Sequence, residues 1–249
     1  MKNNIVLTIG GFDAEGRKGL SADRSCLLSL GFKPINVVSG IFLEGGKVAA
    51  IQATTVERQL KASADFRKIR GIKTGLLATR ENVEAVATFF EDHKTTLHNL
   101  VVDACLDGDD ESPLLSTTAI SLFKMRLLPL ATLAVAYLSE AERLAGTPVG
   151  NIDQMKEAAE AIRIYGPKTV LIKADRLVDG EMVDILYDGA EHQFLFTKTA
   201  PRGEPREKRD AFSSAVAAYL TKGYRVKEAI EAAKELLFAA RLVGQAEPA

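Results

Sequence analysis

The run Arg206-Glu207-Lys208-Arg209-Asp210 sets an acid at the expected start of a helix that continues through Ala211-Phe212-Ser213-Ser214-Ala215. A carboxylate there can take a proton, and the N–H groups and positive dipole end of the helix can hold an anion. Together these abilities suit phosphoryl transfer, which asks for positioning and charge stabilisation more than for covalent chemistry. A backbone phosphate cradle usually contains glycine, because the amides must come close to the ligand. Glu207, Lys208 and Arg209 occupy those positions here. The competing reading of Asp210 is a plain N-cap, and that of Lys208 and Arg209 is a pair of surface charges on a mobile loop.

The elements that must position Asp210 follow from short apolar runs alternating with helical patterns. Ile5–Ile9, Ile35–Leu43, Gly71–Leu77, Leu100–Ala104, Leu133–Tyr137 and Val170–Lys173 read as strands. Gly19–Leu30, Arg80–Phe90, Thr117–Leu127, Glu140–Leu144 and Ile152–Tyr165 read as helices between them. Thr54-x-x-Glu57 predicts a capping box opening a further helix that runs to about Lys68. Val183–Tyr187 and Gln193–Thr197 predict an antiparallel hairpin before two last helices, 211–220 and 226–243. Repeated βα units imply an α/β fold, a mostly parallel doubly wound sheet flanked by helices. No Pro-, Gly- or Ser-rich break divides residues 1–249, so a single domain is expected. Ligands of such folds sit at the carboxyl ends of the strands.

Composition narrows the function classes. Lys and Arg number 32 against 33 Asp and Glu, a net charge of -1, which argues against a bulk nucleic-acid or membrane binder. No run approaches the roughly 20 apolar residues of a membrane helix, and the N-terminus does not read as a signal peptide, so a cytoplasmic protein is expected. The two cysteines, Cys26 and Cys105, lack metal-ligand spacing and read as reduced core thiols. A homodimer is left open.

The loops carry a resemblance. Thr8-Ile9-Gly10-Gly11-Phe12-Asp13-Ala14-Glu15-Gly16-Arg17-Lys18-Gly19-Leu20-Ser21-Ala22-Asp23, Lys73-Thr74-Gly75-Leu76-Leu77, Val101-Val102-Asp103, Leu127-Leu128-Pro129-Leu130-Ala131-Thr132, Leu138-Ser139-Glu140-Ala141-Glu142 and Val183-Asp184-Ile185-Leu186-Tyr187-Asp188-Gly189 follow in order. This set is similar to the hydroxymethylpyrimidine/hydroxymethylpyrimidine-phosphate kinases of thiamin biosynthesis, in the ribokinase superfamily. The resemblance covers nearly the whole chain. It implies a ribokinase-like fold, ATP and Mg as cofactors and a small heterocycle as acceptor. It makes Asp210 the general base and places the acceptor among Gly11, Asp13, Gly19, Asp23, Glu44, Gly75 and Leu76. Lys173, Lys208 and Arg209 fall on the nucleotide side, and Glu140 at the metal.

The departures from the family pattern also fall at the chemistry. A Gly-Thr-Gly-Cys anion-hole segment corresponds to Glu207-Lys208-Arg209-Asp210, an Asn to Tyr137, a Lys to Asp109 and a Gln to Glu44. A carboxylate at Glu44 can still pair with an exocyclic amine and a protonated ring nitrogen; its rival role is a solvated turn beside Gly45-Gly46. Two functions survive: an ATP-dependent kinase of a hydroxymethyl heterocycle, and a kinase-derived protein that binds a pyrimidine-like molecule without catalysis. Bulky charges in the cradle predict weak ATP binding, which glycine at positions 207 and 209 would strengthen.

Overall fold

Parallel strands need crossover connections, and the helices between the apolar runs supply them. The computed structural model describes residues 4–63, 66–108, 112–196 and 206–244. The strands are β1 (Ile5–Asp13), β2 (Lys33–Phe42), β3 (Val48–Ala50), β4 (Gly71–Thr74), β5 (Leu100–Asp103), β6 (Leu133–Tyr137), β7 (Thr169–Lys173), β8 (Val183–Tyr187) and β9 (His192–Phe196). They form one sheet in the order β3-β2-β1-β4-β5-β6-β7-β8-β9. From β2 through β7 every pairing is parallel. The antiparallel partners lie at the edges, β3 on one side and the β8–β9 hairpin on the other. The α/β architecture and the late hairpin are those expected from the sequence.

The helices are α1 (Leu20–Ser29), α2 (Ala53–Ala62), α3 (Arg80–Asp92), α4 (Thr117–Leu122), α5 (Leu138–Ala145), α6 (Ile152–Arg163), α7 (Arg206–Thr221) and α8 (Val226–Gly244). Side chains alternate across a strand, so each buried strand feeds two cores. Leu7, Val102 and Ile172 pack with residues of α2 to α6. Val6, Val101 and Leu171 pack with residues of α1, α7 and α8. This double burial explains why the central strands are near-continuous apolar runs. Among the described residues no helix is long and apolar enough to cross a membrane.

Several boundaries differ from expectation. Thr54 does not cap α2. The carbonyl of Gln52 accepts the N–H groups of Thr55 (2.8 Å) and Val56 (3.1 Å), so the cap lies two residues earlier, at Gln52, and Thr54 lies inside the first turn. This helix stops at Ala62, and Phe66–Lys68 is a separate 3-10 turn. The helical stretch from Thr117 widens into a π turn at Phe123–Leu127 before Pro129. Strand β4 ends at Thr74, which leaves Gly75, Leu76 and Leu77 to the loop.

The sheet reverses its winding direction between β1 and β4, because β2 and β3 lie to one side and β4 to β9 to the other. Such a switch point opens a crevice at the carboxyl ends of the two strands. Asn82, fully buried at the start of α3, stitches this end together. Its Nδ2 stands 3.1 Å from the carbonyl oxygen of Ser39, 3.0 Å from that of Ile51 and 2.9 Å from that of Leu77. Two N–H hydrogens serve three acceptors that lie on β2, the link into α2 and the loop after β4. Asn82→Ala is expected to lower the unfolding free energy by about 2–3 kcal/mol, read from urea denaturation.

Candidate active site

The loop after β1 is shaped by its own polar groups. The Asp13 Oδ2 accepts the N–H groups of Arg17 (2.9 Å) and Lys18 (3.1 Å). Burial pushes the Asp13 carboxyl up, yet the backbone N–H groups of Arg17, Lys18 and Glu15 outweigh it and hold it below its ordinary value. Asp13 is therefore occupied in folding the loop. Gly19 closes the loop with φ of 59°, and a Cβ there would stand 2.1 Å from the carbonyl oxygen of Gly11. Gly11 in turn leaves only 2.6 Å to Phe42 and 2.7 Å to Leu76 for a Cβ of its own. The approach at Gly19, to backbone at positive φ, requires glycine, while a side chain at Gly11 would force Phe42 and Leu76 to shift. Lys18 lies over the Phe42 ring with Nζ 4.8 Å from its centroid, which joins the loop to the end of β2.

Asp210 meets this loop directly. Its Oδ2 accepts the Gly19 N–H at 2.8 Å, and its Oδ1 lies 3.3 Å from Lys73 Nζ. Lys73, at the buried end of β4, also donates to both oxygens of Asp23 on α1, at 3.0 and 3.1 Å. The Ser214 hydroxyl donates to Asp23 Oδ1 at 2.7 Å. Burial works against the Lys73 ammonium, but Asp23, Asp210 and Asp103 together outweigh it and hold its pKa above the usual lysine value. Burial pushes the Asp23 carboxyl up to about 7; Lys73 opposes this shift and the charge of Asp210 adds to it. One ammonium thus faces two close carboxylates, and the second negative charge is costly.

Asp103, Cys105, Tyr137, Glu140, Arg209 and Asp210 line a cleft with about 220 Å³ of empty space, open solvent included. Cys105 holds its place with φ of 44°, a left-handed backbone. Asp103 accepts the Ser213 hydroxyl at 2.7 Å. Glu140 accepts the N–H of Leu106 at 3.1 Å with one oxygen and that of Tyr137 at 3.0 Å with the other. It therefore ties the loop after β5 to the end of β6.

Two sequence readings are corrected here. Helix α7 begins at Arg206, so Asp210 lies a turn inside it and is not its N-cap. Arg209 does not sit on a mobile loop. Its guanidinium carbon lies 4.0 Å from the Tyr137 ring centroid and its Nη2 donates to Asp175 Oδ2 at 2.8 Å. The aromatic face and the carboxylate together hold the cation at the cleft. The Lys208 side chain and Asp109 lie outside the described residues.

The other expected positions divide clearly. Gly11, Gly19, Gly75, Leu76 and Asp210 converge at the switch point; a Cβ on Gly75 would come within 2.9 Å of Lys73 Nζ. Asp23 is fully buried under the loop against Lys73 and Ser214. Glu44 is exposed in the turn between β2 and β3. Lys173 is buried, with Nζ 3.9 Å from the centroid of the Phe212 ring and 4.0 Å from Asp184 Oδ2. Sequence reasoning quoted Lys73, Ser213 and Ser214 within motifs without giving them a role, and passed over Asp175. A lysine closing an apolar strand was the available signal for Lys73.

The family model for phosphomethylpyrimidine kinase matches residues 13–245. The chain belongs to the phosphomethylpyrimidine kinase family. A hydroxymethylpyrimidine/phosphomethylpyrimidine kinase of Streptomyces coelicolor is 32% identical over 247 residues, which cover 96% of this chain and 89% of that protein. A thiamine biosynthesis bifunctional protein of Geobacter sulfurreducens is 31% identical over 245 residues, 96% of this chain but 49% of that protein, so the chain spans about half its length. The solved ADP complex of Bacillus subtilis pyridoxal kinase superposes with a TM-score of 0.83 at 30% identity, covering 93% of this chain and 89% of that one.

Within this phosphomethylpyrimidine kinase frame, Gly19 joins loop geometry to Asp210. Gly19→Ala forces a positive φ and a clash with backbone, and is expected to cost about 2–3 kcal/mol by thermal denaturation. The Asp23 carboxyl binds its proton more tightly when folded, at about 7 against 3.8 for the free group. Its contribution to stability is full below pH 3.8 and is lost as pH rises to about 7. The unfolding free energy of the wild type relative to Asp23→Asn is therefore expected to fall across that window and to level above it, measured by urea titration at each pH.

Proposed function

We propose that this protein transfers a phosphoryl group from ATP to the hydroxymethyl group of an aminopyrimidine or of its phosphate. The observation that carries this reading is Asp210, which reaches the cleft while bonded to the Gly19 amide of the first loop. A carboxylate keeps lone pairs beyond its contacts with Gly19 and Lys73, and these can take the hydroxyl proton. The glycines of the first loop and Leu76 would form the floor under the heterocycle. Glu44, on the turn after β2, would cover it and meet its amine. The pyridoxal kinase likeness supports the same acceptor class, a hydroxymethyl group on an aromatic heterocycle.

The residues present fit a nucleotide phosphate, though not in a glycine cradle. ATP supplies the phosphoryl group. Arg209 would hold phosphate oxygens from its place on Tyr137, and the N-terminal end of α7 would assist through its dipole. Among the described residues no group of three or more His, Cys, Asp or Glu stands ready for a metal. Magnesium in kinases takes one or two carboxylates plus substrate phosphates, and Glu140, with lone pairs left after two N–H contacts, would serve such an ion. Side chains must be ordered to replace fixed backbone donors, so nucleotide binding is expected to be weak.

That helical first turn, where a loop of donors would be expected, is also the observation that favours the second reading, a non-catalytic binder of the same heterocycle. Product formation from ATP–magnesium and hydroxymethylpyrimidine, its phosphate or pyridoxal, followed by phosphorus NMR, separates the two. The kinase reading expects turnover that drops about 10²- to 10⁴-fold in Asp210→Asn. Acceptor binding by calorimetry with no product under saturating ATP would establish the binder instead.

A further inference from the structure

Lys73 has no part in the chemistry described so far, yet it is fully buried and touches the base. Its ammonium contacts three oxygens, two on Asp23 and one on Asp210. These groups come from β4, α1 and α7, and Asp210 continues the chain of contacts to the loop after β1 through the Gly19 amide. An ordinary core ion pair would be complete with Lys73 bound to both Asp23 oxygens and Ser214 bound to one of them. The additional contact runs outward, to the one carboxylate of the trio that lines the cleft.

We infer that Lys73 is a positioning residue for Asp210: held by Asp23, it fixes the Asp210 carboxylate against the Gly19 amide, so that three elements rather than α7 alone set the base. The inference rests on the kinase reading for its catalytic meaning and on geometry for the linkage itself. The side chain has little freedom, because Gly75 packs so closely on Nζ that even a Cβ there would lie 2.9 Å away. The charged and titratable neighbours are few. Asp23 and Cys26 face it from α1, Asp103 from the end of β5, and Asp210 from α7. Asp103 accepts the Ser213 hydroxyl, Cys26 donates to the Ala211 carbonyl, and burial pushes the Cys26 thiol up to about 12. The ionic balance therefore lies between one ammonium and three carboxylates, with Asp23 and Asp210 the larger influences and Asp103 the smallest. When Asp210 receives the acceptor proton, Lys73 keeps its own, because Asp23 still faces it. Asp23 then acts as the counter-charge that sets how tightly Lys73 holds the base, rather than as a ligand for the acceptor.

The linkage is testable without substrate. In protein labelled with carbon-13 at the aspartate carboxyls, the Asp23 signal, assigned with Asp23→Asn, is expected to titrate near pH 7. In Asp210→Asn its midpoint should fall by about one pH unit, since a like charge has been removed. Asp210→Cys gives the same readout if the Asn variant does not fold. An unmoved midpoint would overturn the inference whether or not the protein turns over. For the catalytic consequence, Asp23→Asn should lower kcat about 100-fold with little change in KM, and move the acid limb of the kcat profile to lower pH. A kcat loss with an unmoved acid limb would reduce Asp23 and Lys73 to structural support. Absence of turnover in the wild type would count against the kinase reading alone, and the NMR titration would still decide the linkage.

Discussion

An ammonium fully enclosed in protein, facing carboxylates from two different helices, is the constraint around which this molecule is arranged. Taking such ions out of water costs several kcal/mol each, and the attraction repays it only with good geometry and further hydrogen bonds. Lys73 obtains that geometry from α1 and α7, which must both lie on the same face of β4. The Gly19 amide satisfies the other Asp210 oxygen, and Ser214 adds a second donor to Asp23 Oδ1. Removing one partner of a buried pair typically costs about 3–5 kcal/mol, so the cluster couples the integrity of the fold to the placement of Asp210. A hydrophobic trio could fill the same space. It would not carry a carboxylate to the cleft.

The rest of the architecture serves this end of the sheet. Alternation along the strands commits one face to α2–α6 and the other to α1, α7 and α8. The switch point between β1 and β4 then leaves their loops free of crossing helices. Backbone and side chain share the work there. Asp13 folds the first loop, Glu140 ties two strand ends, and Asn82 links β2 to the loop after β4.

The fold was legible because buried parallel strands leave a local trace, runs such as Leu100-Val101-Val102 and Val170-Leu171-Ile172, and the hairpin β8–β9 leaves a turn between two short runs. Helix ends were less so. Thr54 looks like a cap, but the first carbonyl to accept belongs to Gln52, a matter of backbone path that side-chain type does not reveal. At the site, Asp210 was visible through its flanking sequence. Lys73 was not, because its partners lie 50 and 137 residues away and a lysine ending an apolar strand looks the same whether it snorkels or is enclosed. Arg209 shows the same blindness in reverse: its order comes from Tyr137 and Asp175, which nothing nearby in sequence announces.

Gly19 bears on how such a site can diversify. One residue supplies the tight approach to Gly11, the amide for Asp210 and the entry to α1. Any replacement changes all three at once, so this stretch is closed to gradual exploration by drift or by library design. The turn carrying Glu44, by contrast, is exposed, and follows Phe42, which Lys18 joins to the first loop. Under the proposed function, the residues around Glu44 are the part of this end that can be exchanged while the contacts of Phe42 with Gly11 and Gly19 are kept. The fixed contacts run through β2 as far as Phe42, and the adaptable part is the exposed turn beyond it.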